Sequence, residues 1–259
     1  MSSMEPGSVP PGLVQLAAVV LTKNVAQHIG PCLDTLSFAD AVLVSDSFSD
    51  DGTVERARAG GAYVVQRPFD NFAGQRNAAL ETVNAEWVFF VDADERITPE
   101  LAIEVRQVVC ERAEVGWWVP RHNYIAGQRV RYGGFYPDYQ LRLLRRERAR
   151  YDPARPVHEV VLLDGPEGKL QNVMIHYNYD SWAQFRAKQL RYARYEADIL
   201  RKRGVKPWPH KFIRPLLREF WRRYVTLRGY KDGWLGLKLA LLLGYYYGFM
   251  PHWYLVRPG

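Results

Sequence analysis

The run Val88-Phe89-Phe90-Val91-Asp92-Ala93-Asp94-Glu95-Arg96 sets four apolar residues directly before two carboxylates one residue apart. A continuous apolar run of this kind fits a strand buried on both faces of a parallel sheet. Ligands of open α/β sheets gather just outside the carboxyl ends of such strands, where Asp92 and Asp94 fall. Two acids held this close repel unless a cation or a shared proton relieves them. Hard divalent cations take carboxylate oxygens and bridge to substrate phosphates. By itself the stretch supports two readings: a metal–diphosphate site, or two solvated aspartates opening a loop.

Upstream, strand and helix patterns alternate. Leu16–Leu21 reads as the first strand, and Asn24 as the N-cap of a helix running to about Phe38 with Pro31 inside it. Ala41–Val44 is the second strand, followed by the turn-forming Ser45–Gly52 and a short helix from Thr53 closed by Gly60-Gly61. Ala62–Gln66 is a third strand, Phe72–Val83 a helix with Ala78, Ala79, Leu80 and Val83 inward, and Glu86–Val91 the fourth strand. This alternation predicts βαβ units and a mostly parallel sheet.

Downstream, Thr98-Pro99-Glu100 opens a helix, and Gly116–Val119, Tyr139–Arg146 and Leu170–Tyr177 read as strands, with Val157–Val161 short and extended. Then the composition shifts. Residues 181–259 hold 17 lysines and arginines against four acidic residues, a net of +13, while residues 1–180 carry 18 against 24, a net of −6. Trp182–Arg203 and Phe212–Leu227 read as basic amphipathic helices. In the second, Phe212, Leu216, Phe220, Tyr224 and Leu227 form the apolar line, and Arg214, Arg218, Arg222 and Arg223 occupy the other faces.

The 259 residues, 47% hydrophobic, suit one large domain or one domain with an appendage. Two distant cysteines and a first apolar run unlike a secretory signal predict a reduced, cytoplasmic protein. Residues 1–15, rich in proline and glycine, are expected to form a disordered leader.

Four motifs in order carry a family resemblance: Val20–Asn24, Val44–Val54 with Asp46 and the Asp51-Gly52-Thr53 triplet, Gln75-Arg76-Asn77, and Val91–Arg96. They resemble those of family 2 glycosyltransferases. Tyr136–Leu143 and Val157-His158-Glu159 resemble the branch containing the lipopolysaccharide core β-glucosyltransferase. The likeness spans roughly residues 16–180 and rests on the order and spacing of the motifs, each of them weak alone. It implies a GT-A fold, Rossmann-like, over residues 16–180, with residues 181–259 a basic helical extension. It also implies a nucleotide-diphospho-sugar donor, Mg²⁺ or Mn²⁺, and inversion at the anomeric carbon.

By that resemblance Thr22, Asn24 and Asp46 flank the nucleoside, with Asp46 accepting from a uracil N–H; the bare alternative for Asn24 and Asp46 is helix capping. Arg76 pairs with phosphate or base, or is a solvated charge. Asp92 faces the ribose and Asp94 the metal, with Asp92 as a possible second ligand. An inverting transfer needs a base for the acceptor hydroxyl; Glu159 is the first candidate and Asp138 the second. The Glu-Asp pair that supplies the base in many relatives is absent downstream, a departure from the family pattern. His158 and His176 could complete the metal shell or bind phosphate, and Arg142 and Arg145 could reach a phosphate or be solvated strand positions.

The basic rear and the ring-rich Trp234–Val256 stretch read as a segment lying on an anionic leaflet, or as helices covering the catalytic domain. The expected partners are a UDP-type sugar, a lipid-linked or lipopolysaccharide-core-like saccharide acceptor, and the inner face of the cytoplasmic membrane. A polyprenyl-phosphate sugar synthase or exopolysaccharide transferase is the neighbouring reading. A nucleic-acid-binding role is disfavoured, because the arginines share helices with large apolar faces and no nucleic-acid motif is present. A Rossmann dehydrogenase would need a glycine fingerprint after the first strand, where Thr22-Lys23-Asn24 stands.

Overall fold

A strand buried on both faces needs a helical layer on each side, and the chain supplies both. The computed structural model describes residues 12–111, 113–154, 160–206 and 210–256. They divide into two compact units. The first takes the chain up to Arg121 together with Tyr139–His176, and the second takes His122–Asp138 together with the chain from Tyr177.

The first unit opens with β1 (Val14–Thr22), α1 (Ala26–Leu33), β2 (Ala41–Asp46), α2 (Thr53–Ala59), β3 (Tyr63–Gln66), α3 (Phe72–Thr82) and β4 (Ala85–Asp92). The β1–β2, β2–β3 and β1–β4 pairs are all parallel. Side-chain alternation deals the strands to two cores. Leu16, Ala18, Val20, Trp87, Phe89 and Val91 enter one, with residues of α1, α2 and α4 (Pro99–Glu111). Ala17, Val19, Val88 and Phe90 enter the other, with Ala79 and Leu80 of α3. The apolar run before Asp92 is unbroken because both faces are covered.

The remaining strands are β5 (Glu95–Ile97), β6 (Gly116–Ile125), β7 (Gln128–Val130), β8 (Asp138–Arg145), β9 (Ala149–Tyr151), β10 (Val161–Leu163), β11 (Glu167–Lys169) and β12 (Met174–Tyr179). The main sheet runs β3-β2-β1-β4-β8-β6-β12-β5, with β7 and β11 both paired to β6. β8 is antiparallel to β4, and β5 is antiparallel to β12. The sheet is therefore mixed with a parallel half, as expected of a GT-A-like fold.

Three local expectations change. Asn24 does not cap α1: it takes a left-handed φ of 53°, and Val25 stands at the cap. The first amides of the helix are served across the chain instead, Val25 N–H by Thr53 Oγ1 at 2.9 Å and Ala26 N–H by Asp51 Oδ2 at 3.0 Å. α1 ends at Leu33, short of Phe38, where the chain tightens into turns bonded from Thr35 to Cys32 and from Leu36 to Leu33. The first strand begins at Val14, inside the stretch expected to be a leader. β5, three residues long, was too short to show a period.

The second unit holds α5 (Trp182–Lys202), α6 (His210–Trp221), α7 (Gly233–Leu243) and α8 (Met250–Val256). α5 starts where Ser181 Oγ accepts from Gln184 N–H. α6 runs on through a π turn, Arg222–Thr226, and α7 through another, Gly244–Phe249, into α8. Ile125, Val130, Tyr179, Phe185, Leu239, Leu243, Tyr246 and Met250 form its core. The apolar stretch Leu237–Met250 thus supplies interior to this unit. No helix among the described residues is long and apolar enough to cross a membrane.

α6 lies close on the Gly244–Phe249 turn: a Cβ at Gly248 would stand 2.4 Å from the Leu216 amide nitrogen. Backbone on both sides leaves nothing flexible to yield. Gly248→Ala is expected to cost about 1–3 kcal/mol of overpacking, read as a lower urea midpoint.

Candidate active site

The parallel registers align four strand ends. Thr22 pairs with Asp46, Leu21 with Asp92, and Asp46 with Gln66. The carboxyl ends of β1, β2 and β4 therefore form one edge, the position at which α/β sheets bind ligands. Thr22 and Asp46 are buried there. Asp46 accepts from Thr22 Oγ1 (2.8 Å), Ser49 N–H (2.8 Å), Ser49 Oγ (2.5 Å) and Gln66 Nε2 (3.1 Å). Burial pushes its carboxyl up, but these hydrogen bonds, Ser49's first, hold it below the usual carboxylate range. All four acceptor directions are filled. Asn24 faces the same turn, its side chain accepting from Asp50 N–H at 3.1 Å.

Beside that edge, the Asp-x-Asp turn is fixed from below. Glu95, fully buried, accepts from Asp92 N–H at 2.9 Å, Arg142 Nη2 at 2.9 Å and Arg121 Nη1 at 3.1 Å. Arg96 closes the turn by donating to the carbonyls of Ala93 and Glu95. Arg142, delivered by β8, also grips both carboxylate oxygens of Asp92. Arg76 of α3 donates to Asp92 Oδ1 at 3.4 Å and stacks over the rings of Phe90 and Tyr151. Burial raises the Asp92 carboxyl, but the guanidinium of Arg142 and then that of Arg76 override it and hold the group well below the carboxylate range. The same two carboxylates, Asp92 before Glu95, outweigh burial at Arg142 and push its pKa up.

Arg142 therefore stands differently from its sequence assignment. It is buried, and its Nη atoms are spent on Asp92 and Glu95, not turned toward a phosphate or a metal. Arg76 is a buried, stacked cation in place of a solvated one. Arg145 points elsewhere, paired with Glu86 at 2.7 Å.

Asp94 is left outside the knot. Its Oδ2 is 3.5 Å from His176 Nε2, and a third of its side-chain surface is accessible. The β5–β12 pairing makes this meeting, because it sets His176 opposite Glu95. Among the described residues there is no set of three His, Cys, Asp or Glu side chains arranged to hold a metal ion. His158 and Glu159 lie outside the described residues. Asp138 belongs to the second unit, where it accepts from Asn123 Nδ2 at 3.0 Å.

The sequence reads Glu95 and Arg96 as orienting the loop, and their hydrogen bonds fix the turn; it missed the part of Arg121, and the exposed Phe48, which holds a left-handed φ of 60° two residues after the Asp46 strand end. A bulky residue in that conformation marks a constrained turn. A glutamate after an Asp-x-Asp gives no signal of burial by itself.

Residues 17–156 match the family described as glycosyl transferase family 2, and the chain belongs to that family. It is an enzyme of the glycosyltransferase class with a GT-A-like fold. It is 29% identical over 216 residues to the lipopolysaccharide core biosynthesis glycosyltransferase LpsC of Rhizobium meliloti, covering 76% of each chain. Over 95 residues it is 35% identical to an uncharacterized glycosyltransferase of Rickettsia bellii, covering 36% of this chain and 32% of that one. Its backbone is similar to that of the mannosyltransferase PcManGT from Pyrobaculum calidifontis, solved with GDP-Man and Mn²⁺. The TM-score is 0.50 at 17% identity, covering 100% of this chain and 83% of that one.

Removing one partner from the knot strands buried charge. Arg142→Met is expected to lower stability by about 3–5 kcal/mol, read by urea unfolding. The Asp92 carboxyl is held below its unfolded value, so its stabilisation is complete above about pH 4 and is lost as pH falls below that. Asp92→Asn should therefore flatten the decline in urea midpoint between pH 6 and pH 3 relative to the wild type.

Proposed function

We propose that the protein transfers a sugar, with inversion, from a UDP-type nucleotide sugar to a lipid-linked, lipopolysaccharide-core-like acceptor at the inner face of the cytoplasmic membrane, assisted by Mg²⁺ or Mn²⁺. The observation that carries the reading is the Asp92–Asp94 turn. It stands at the carboxyl end of β4, pinned by Glu95 and Arg142, with Asp94 left to meet His176. The likeness to LpsC over three-quarters of each chain supports the class of acceptor.

The donor set fits a divalent ion. The Asp94 carboxylate suits Mn²⁺ or Mg²⁺, which commonly fill their other positions with phosphate oxygens and water, and the imidazole nitrogen 3.5 Å from it suits a transition metal better than Mg²⁺. Asp94 and His176 would hold it, and when bound it neutralises charge gathering on the diphosphate leaving group. Arg76, Arg121 and Arg142 face the two carboxylates Asp92 and Glu95 and hold the turn on which Asp94 stands. Asp92, gripped on the Arg142 side and about one-third accessible, keeps an open edge for a ribose hydroxyl.

Thr22, Asn24 and Asp46 line the nucleoside end. A uracil N–H reaches Asp46 by displacing one of its four donors. Glu159 and Asp138 are the candidates for the base that deprotonates the acceptor hydroxyl.

The test is a panel of UDP- and GDP-sugars with Mn²⁺ or Mg²⁺, followed by thermal stabilisation and by donor hydrolysis. A UDP-sugar should stabilise the protein in a metal-dependent way, and failure of every nucleotide sugar to bind or turn over would overturn the reading. Asp94→Ala should abolish turnover and the metal dependence of donor binding, and His176→Ala should weaken apparent metal affinity by at least about tenfold. Of Glu159→Gln and Asp138→Asn, the one that removes the base should lower kcat about a hundred- to ten-thousandfold with donor binding intact.

A further inference from the structure

The helix α6 has two apolar lines, and only one is used within its own unit. The line expected from the sequence, through Leu216 and Phe220, is half-buried, and Leu216 lies against Gly244 and Gly248. The second line steps by four residues along the outside: Ile213, Leu217, Trp221 and Val225, which are 62%, 56%, 62% and 37% exposed. Residues four apart stack on one face of a helix but drift around it. The π turn at Arg222–Thr226 winds less per residue, which brings Val225 back under Trp221.

Beside this ridge, one residue on, runs a second, Arg214, Arg218 and Arg222, all exposed. Arg222 is paired with Glu219 at 2.7 Å, whereas Arg214 and Arg218 make no ion pair among the described residues. Isolated surface apolar residues need no explanation, but an unbroken ridge of large ones does.

We propose that this outer face of α6 lies on an anionic lipid leaflet, with the Ile213–Val225 ridge among the acyl chains near the headgroups and the arginines on the lipid phosphates. The inference deepens the reading of a lipid-borne acceptor and rests on it for its purpose. The chemistry matches an interfacial helix: a narrow apolar ridge, an arginine flank with stems able to snorkel, and an exposed tryptophan. A second copy of the chain is a poor occupant. A symmetric contact would set arginine ridge near arginine ridge, and the helix offers one carboxylate, Glu219, already shared by Arg222 and Arg223. Residues 181–259, at net +13, carry the same sign of attraction toward an anionic surface.

The experiment is co-sedimentation of the full chain with phosphatidylglycerol–phosphatidylcholine vesicles and with phosphatidylcholine alone. The wild type should partition to the first and only weakly to the second, and less as salt rises. Leu217→Ser/Trp221→Ser should weaken partitioning at least about tenfold, and Arg214→Gln/Arg218→Gln about fivefold per arginine. Both pairs are exposed, so circular dichroism and Tm should be unchanged. Trp221→Phe should still bind while losing part of the fluorescence quenching by brominated lipid. The proposal is overturned if the wild type ignores anionic vesicles, if the Leu217→Ser/Trp221→Ser protein binds them equally well, or if those changes instead break a dimer in solution. UDP-sugar hydrolysis without vesicles separates the two readings. Donor turnover without vesicle binding overturns docking alone. Ridge-dependent binding with no turnover of any nucleotide sugar supports docking and overturns the transferase chemistry alone.

Discussion

The buried contact of Arg142 with Asp92 and Glu95 holds the site together. Each charge alone in that place would cost several kcal/mol of lost hydration. The arrangement offsets this by satisfying each oxygen: Glu95 takes an amide and two guanidiniums, and Asp92 takes Arg142 and Arg76. Such networks contribute more to definition than to net stability. Here they define a four-residue turn at the end of β4. They decide which carboxylate is structural and which is available, with Glu95 locked, Asp92 half locked, and Asp94 outside.

That division of labour follows from where the cations come from. Arg142 arrives on β8, which is antiparallel to β4, Arg121 on β6, and Arg76 on the helix before β4. None is close in sequence to the turn it supports. His176 arrives on β12, carried by three register pairs with β5. The meeting of Asp94 with His176 thus rests on a short sheet pairing late in the chain.

The second unit solves a different problem. Its apolar C-terminal stretch becomes core, and α6 is pressed against it through glycines. With one face of α6 so used, the outer ridge beside the arginines is surplus to folding. Surplus exposed apolar surface on a basic helix is explained by what it meets.

Much of this was legible in the sequence. The parallel strands β1 to β4 and the helices between them follow from apolar periodicity and turn chemistry, and the ordered motifs carry the family resemblance; all are local signals. The pairing of Asp92 with the edge that carries Thr22 and Asp46 was legible too, because parallel strand ends share one side of a sheet. The partners of the acids were not. An arginine at 142 reads alike whether it faces phosphate or a buried glutamate, since burial is a property of the neighbours. The same holds for α6, where periodicity showed amphipathic character but not which of two adjacent apolar lines would be covered. The sequence by itself determined the fold class and the pair of acids. Tertiary structure alone decided which acid stands outside the arginine contacts, because the partnering of a charge and the covering of a face depend on residues that are distant along the chain and become neighbours only when it folds.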